Sequence, residues 1–170
     1  MHHTVKFKGN PIRLDGPMLK VGDKAPDVTL RKSLLEDMKL SETRGKVRIL
    51  SVVPSLDTPV CATQTRRFNQ EAAKLPNVQI LTISVDLPPA QARFCGAEGI
   101  DPERIRMLSD YKEVAFGRAF GTLIPEHRIE CRALFVLDRD DTIRHVEYVN
   151  EITQEPNYDA ALNVVRQLAG

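Results

Sequence analysis

With 170 residues, 42% of them hydrophobic and 28% charged, the chain can bury one sizeable core and is expected to form a single domain over residues 1–170. Its 24 basic and 23 acidic side chains leave a formal net charge of +1, which argues against nucleic acid or an anionic membrane surface as a partner. No apolar run approaches the ~20 residues of a membrane span, and the N-terminus lacks a charged-then-apolar signal pattern. A cytoplasmic location is therefore the expectation, with a periplasmic or secreted form as the alternative if a leader has been trimmed. His2-His3 is compatible with a tag remnant but too short to decide it.

In chain order, Val5 and Phe7 alternate with polar residues, Gly9-Asn10 reads as a turn, and Ile12 and Leu14 resume the alternation, which predicts a β-hairpin. Residues 15–26 are rich in Gly and Pro and read as a loop, and Val28-Thr29-Leu30 fits a short strand. The stretch 34–45 is ambiguous. Residues 47–53 form an apolar, β-branched run, short enough for a strand buried on both faces. A helix follows, in which Cys61, Thr65, Phe68, Ala72 and Leu75 recur at spacings of three and four and share one stripe. The pattern then predicts a strand over 78–85, a helix over 88–99 carrying Cys95, a strand over 105–108 and a helix over 111–120. A strand over 128–137, a turn at 138–141 and a hairpin partner over 142–149 follow, and Tyr158, Ala161, Leu162, Val165 and Leu168 give the closing helix its apolar stripe. Alternating strands and helices with a late hairpin predict an α/β, thioredoxin-like fold: a central mixed β-sheet flanked by helices, with an N-terminal β-hairpin.

Three cysteines, Cys61, Cys95 and Cys131, are too few and too widely spaced for a disulfide scaffold or a paired-cysteine zinc site. Each is either a small buried hydrophobe or chemically active. Cys61 has the most suggestive context. Thr58 suits a helix N-cap and Pro59 the first helical position, which puts Cys61 third, where unpaired N–H groups and the helix dipole favour a thiolate. No Cys-x-x-Cys motif is present, because Thr58 and Gln64 occupy the positions three residues on either side. A simple dithiol exchanger is therefore disfavoured.

The segments Thr4-Val5, Gly9-Asn10-Pro11, Pro54-Ser55-Leu56-Asp57-Thr58-Pro59-Val60-Cys61 and Arg66-Arg67-Phe68-Asn69 carry a family likeness. So do Asp86-Leu87-Pro88, Arg93-Phe94-Cys95-Gly96-Ala97-Glu98-Gly99, Arg132-Ala133 and Glu151-Ile152-Thr153-Gln154-Glu155-Pro156. Over nearly its whole length the chain resembles the bacterial thiol peroxidases, an atypical two-cysteine branch of the peroxiredoxins. The resemblance implies that Cys61 is the peroxidatic cysteine, attacking hydrogen peroxide or an organic hydroperoxide and becoming a sulfenic acid. It implies that Cys95 resolves that species as an intrachain disulfide, that thioredoxin is the reductant, that no cofactor or metal takes part, and that the chain is a homodimer.

Peroxide reduction needs a thiolate, a means of orienting the O–O bond and charge to stabilise the departing oxygen. Thr58 can accept a first-turn N–H while its own hydrogen points to the sulfur or substrate; the bland alternative is an N-cap worth ~1 kcal/mol. Arg132 can stabilise the thiolate and hydrogen-bond the peroxide, the alternative being a side chain snorkelling out at the sheet edge. Pro54 shapes the loop and shields the sulfur. Two cysteines read as starting separate helices would lie beyond the ~7 Å that a disulfide tolerates, so local unwinding is expected during turnover. Cys131 departs from the resemblance, which has a small aliphatic residue there, and is read as a buried strand residue. Its sharper readings are a backup resolving thiol or a metal site with His127, although two ligands fall short of the four of structural zinc. His145 is read as a surface residue. The competing functions are a thiol-disulfide oxidoreductase and a non-enzymatic redox switch built on the same thiols.

Overall fold

The computed structural model describes residues 3–72, 74–102 and 104–169; His2 lies outside them. The first element is the expected hairpin, β1 (His3–Phe7) and β2 (Asn10–Leu14), in the register Val5 opposite Ile12. Its turn is Lys8-Gly9 rather than Gly9-Asn10, because both residues take the left-handed conformation that two-residue hairpin loops require, and Asn10 already pairs with Phe7.

The ambiguous stretch resolves into local structure. After β3 (Thr29–Arg31) comes a tight turn, β4 (Asp37–Lys39) and a single 3-10 turn over Leu40–Thr43. Then follow β5 (Val47–Val52), α1 (Pro59–Ala72), β6 (Val78–Ser84), α2 (Pro88–Glu98) and β7 (Ile105–Ser109). The helix expected over 111–120 is only α3 (Ala115–Phe120). It starts late because Val114 is left-handed, while the Asp110 carboxylate accepts the N–H groups of Phe116 and Gly117 and fixes the helix entry there. The remaining elements are β8 (Leu123–Ile124), β9 (Ile129–Glu130), β10 (Ala133–Leu137), β11 (Ile143–Tyr148) and α4 (Tyr158–Ala169).

Seven strands form the central mixed sheet in the order β11-β10-β5-β6-β7-β3-β4. β5, β6 and β7 run parallel, and β10 joins β5 antiparallel. Two successive βαβ crossovers in one direction place α1 and α2 on the same face, and α4 joins them there. That face buries Ile49, Ile80, Ile105 and Leu134 against Cys61, Phe68, Tyr158 and Leu162, with Cys95 packed at its margin. The opposite face buries Leu50, Val52, Leu81 and Phe135 beneath the hairpin and α3, where Phe116 stacks on Phe120 and Phe135 meets both edge-on. β5 is buried along its whole length, as the central strand of such a sheet must be.

The strand expected over 128–137 is broken. Glu130 ends a two-stranded ribbon with β8 and Ala133 begins the central sheet, so Cys131 and Arg132 lie between two sheets. Leaving the ladder at this point frees Arg132 to direct its side chain into the interior.

Candidate active site

β5 delivers the chain to a loop at 53–58, and α1 begins where the sequence predicts. The Thr58 carbonyl accepts the Ala62 N–H, so Thr58 is the N-cap residue and Cys61 the third of the helix. The Thr58 hydroxyl, however, donates back to the Ser55 carbonyl at 3.0 Å. Its hydrogen is therefore committed to the loop and not aimed at the sulfur, while its lone pairs remain able to accept. Asp86, from the turn after β6, organises the same loop: its carboxylate accepts from the Ser55 hydroxyl at 2.9 Å and the Leu56 N–H at 2.8 Å. A carboxylate joining two loops at the ends of parallel strands sets the angle at which α1 departs. Pro54 is buried within this loop.

Cys61 is fully buried and packs with Val53, Leu56, Phe68 and Tyr158. One turn further along α1 is Gln64, also fully buried. Its amide donates to the Ser51 hydroxyl at 2.7 Å, which turns its oxygen to accept from Arg132 Nη1 at 2.9 Å. Arg132 is 2% exposed, and its Nε donates to the Ile152 carbonyl at 2.9 Å. The snorkelling alternative is thereby overturned, since the guanidinium points inward. Both acceptors are neutral, so they fix the guanidinium in place without cancelling its charge.

Tyr158, at the start of α4, closes the same region. Its ring meets Phe68 edge-on at 5.4 Å, the Arg67 guanidinium lies 5.1 Å from its centroid, and its hydroxyl donates to Glu155 at 3.1 Å. Burial and the Glu155 bond push the phenol well up, opposed by the positive charges of Arg132 and Arg67. Arg132 and Arg67 thus both act on the Tyr158 phenol.

Cys95 is not at a helix start: it sits in the last turn of α2, and its carbonyl accepts the N–H groups of Gly99 and Ile100 that close the helix. Its thiol is half-buried and held as a thiol, its pKa raised by desolvation, and it lines a cleft of about 450 Å³ with Gln91, Pro102 and Arg106. All three cysteines are free thiols. Cys61 and Cys95 share one face of the sheet but stand on different helices, which the bidentate Arg66–Glu98 pair ties together at 2.6 and 2.9 Å. Cys131 belongs to the opposite core. Burial and the neighbouring Glu130 push its thiol far up. His127 is exposed while Cys131 is fully buried, so the two do not combine as ligands, and among the described residues no three His, Cys, Asp or Glu groups are arranged to hold a metal. His145 is half-buried rather than a surface residue, and burial lowers its pKa.

Gln64, Ser51, Asp86 and Tyr158 are site residues that sequence reasoning misses. The available signal was polarity in apolar surroundings: a serine inside the run at 47–53, and a glutamine three residues after Cys61 on a buried helix.

A buried helix-start cysteine on a thioredoxin-like sheet, with a buried arginine held one turn along, is an arrangement suited to a thiol-based redox protein. The Redoxin family profile matches residues 20–162. The thiol peroxidase of Bacillus subtilis is 50% identical over 164 residues, spanning 96% of this chain and 97% of that protein. The thiol peroxidase of Streptococcus pneumoniae is 52% identical over 164 residues, spanning 96% and 99%. Among solved structures, a peroxiredoxin-like protein from Aquifex aeolicus superimposes with a TM-score of 0.89 at 38% identity, over 98% of each chain. The chain belongs to the redoxin family, in its thiol peroxidase branch.

Proposed function

We propose that the protein is a thiol-specific peroxidase that reduces hydrogen peroxide and organic hydroperoxides to water and alcohols. The observation that carries this reading is the placement of Cys61 at the third position of α1, one turn from the Gln64 amide that holds buried, uncancelled Arg132. In the first step the Cys61 thiolate attacks one peroxide oxygen. An S–O bond forms, the O–O bond breaks, and the departing oxygen takes up a proton as water or an alcohol, leaving a sulfenic acid. Arg132 stabilises the charge that develops on the departing oxygen, and Thr58 accepts a hydrogen bond from the peroxide through its free lone pairs.

In the second step the Cys95 sulfur attacks the sulfenic sulfur, an S–S bond forms, and water leaves. A thioredoxin-type dithiol then reduces the disulfide and is itself oxidised. The thiols carry all the electrons, so the cycle needs no cofactor. Cys61 and Cys95 stand on different helices, so we propose that unwinding of the last turn of α2, with opening of the Arg66–Glu98 pair, brings the sulfurs together. A thiol-disulfide exchanger is a poorer reading: the place a vicinal cysteine would occupy is taken by Gln64, already engaged with Arg132.

One sheet with both faces covered supports a single domain over residues 1–170. The family likeness supports a homodimer, which sedimentation would test. Three free thiols suit the reducing cytoplasm, and no helix among the described residues is long and apolar enough to cross a membrane. The deciding experiment is NADPH consumption in the presence of thioredoxin, its reductase and hydrogen peroxide. Wild type should turn over continuously, Cys61→Ser should be inactive, and Cys95→Ser should lose thioredoxin-coupled turnover. A single equivalent consumed by wild type, or full activity in Cys61→Ser, would refute the assignment.

A further inference from the structure

Arg132 lies between β9 and β10; its carbonyl accepts the Val149 N–H at 2.9 Å, while its side chain is directed by the hydrogen bonds that the guanidinium makes. One of its two hydrogen-bonded anchors, the Ile152 carbonyl, lies in the segment that follows β11, also outside the central sheet. What holds that carbonyl is the N-terminal hairpin. The Ile152 N–H donates to the Lys6 carbonyl at 2.9 Å, and the Lys6 N–H donates to the Asn150 carbonyl at 2.6 Å. β1 thus runs parallel to 150–152 as a guide rail.

The hairpin turn is fastened to the same segment by Glu151. Lys8 and Gly9, both left-handed, present successive N–H groups to its carboxylate at 3.1 and 2.8 Å, a small backbone nest for an anion. Thr153 adds its N–H and hydroxyl at 3.2 and 2.8 Å. Four donors on one carboxylate hold it ionised, with a pKa down to about 2, the Gly9 N–H being the largest cause. The Ile152 side chain is seated in the core beside Val5 and Leu14 of the hairpin.

We propose that the N-terminal hairpin is a positioning device for the arginine, with Glu151 as the positioning residue that clips the hairpin turn to the segment whose Ile152 carbonyl aims Arg132. The inference rests on the reading of Arg132 as the group that meets the peroxide. Loosening the clip lets the 150–152 segment drift, the carbonyl with it, and the guanidinium loses its fixed aim. Misplacements on the scale of 1 Å cost up to about 100-fold in rate when a catalytic group must be oriented.

The two half-reactions of a peroxidase of this type are kinetically separable, so an aiming defect can be told from a general loss of folded protein. Glu151→Ala, Glu151→Gln and Arg132→Met are compared in the thioredoxin-coupled assay, with kcat/KM measured separately for hydrogen peroxide and for reduced thioredoxin and thermal midpoints recorded alongside. Glu151→Ala should lower kcat/KM for peroxide by about 10-fold or more while leaving that for thioredoxin within about twofold. Glu151→Gln keeps one acceptor oxygen and should restore part of the loss, and it serves as the milder variant if the alanine protein folds poorly. A wild-type peroxide constant in both Glu151 variants, with Arg132→Met impaired, would overturn the clip and leave the arginine's role intact. Equal losses in both half-reactions would mark Glu151 as merely structural and also overturn it. An unimpaired Arg132→Met would remove the catalytic reading beneath the proposal.

Discussion

Replacing Gln64 by leucine tests the site at its hinge. Leucine fills much of the same volume but offers Arg132 Nη1 no acceptor and the Ser51 hydroxyl no donor, in surroundings with no solvent exposure. A hydrogen bond to a charged group is worth about 1.5–3 kcal/mol and a neutral one about 1 kcal/mol, so the change should destabilise the fold by roughly 2–4 kcal/mol. For a chain of this size that corresponds to a fall in thermal midpoint of roughly 5–15 °C. The re-aimed guanidinium should also lower kcat/KM for hydrogen peroxide by about 10- to 100-fold, with the thioredoxin half-reaction unchanged. The assay is a double-mutant cycle with Arg132→Met, read by circular dichroism melting and by coupled kinetics. In the Arg132→Met background only the Ser51 bond remains to be lost, so Gln64→Leu should cost about 1 kcal/mol there, leaving a coupling energy of about 1–3 kcal/mol. Strictly additive costs, or an unchanged peroxide constant in the single variant, would refute the coupling of α1 to the arginine.

Glu98→Gln weakens the clamp between the cysteine-bearing helices, and since this pair is open to solvent the thermal midpoint should hardly change. Rapid-quench mass spectrometry should nevertheless show disulfide formation between Cys61 and Cys95 speeding up severalfold, because α2 unwinds more readily. For Cys131 the folded thiol is held protonated by burial while the unfolded thiol ionises near pH 8.5, so stability should fall as pH rises above that value, by up to about 1.4 kcal/mol per pH unit from this group. Cys131→Ala should remove this contribution in urea titrations at several pH values and leave peroxidase activity within about twofold. Glu130 is buried against Asp110 and kept protonated, whereas its unfolded carboxyl ionises near pH 4.3, so this group stabilises below about pH 4 and loses that contribution as pH rises. Glu130→Gln, which preserves the shape, should therefore be more stable than wild type at pH 7, and the advantage should vanish near pH 4.

Much of this was legible in the sequence where local rules and tertiary structure agree. The β-branched run that becomes β5 and the Thr58-Pro59 helix start form as read, and the N-terminal alternation forms its hairpin with the turn one residue earlier than Gly9-Asn10. The departures have tertiary causes. Residues 128–137 read as one strand because their β propensity is continuous, but Glu130 pairs toward β8 and Ala133 toward β5, and no propensity scale records a change of partner. Tyr111–Val114 reads as helix because nothing local marks Val114 as left-handed; the Asp110 carboxylate imposes the later start. The expectation of Cys95 at a helix start fails because Pro88 and Gly99 bracket that helix and put the cysteine in its final turn. In the sequence Gln64 shows only that a partner cysteine is absent, since the arginine that gives it a role is 68 residues away.

The division of the three thiols between the faces of the sheet has a consequence for biogenesis. Three cysteines permit three intramolecular pairings, and in the finished protein the two that involve Cys131 would require a sulfur to cross a closed layer of hydrogen-bonded strands. Mispairing is therefore a hazard only before that partition closes. Exposure of the nascent or denatured chain to oxidant should trap dead-end Cys131 disulfides, whereas the same oxidant applied after folding should meet only the pair on the working face.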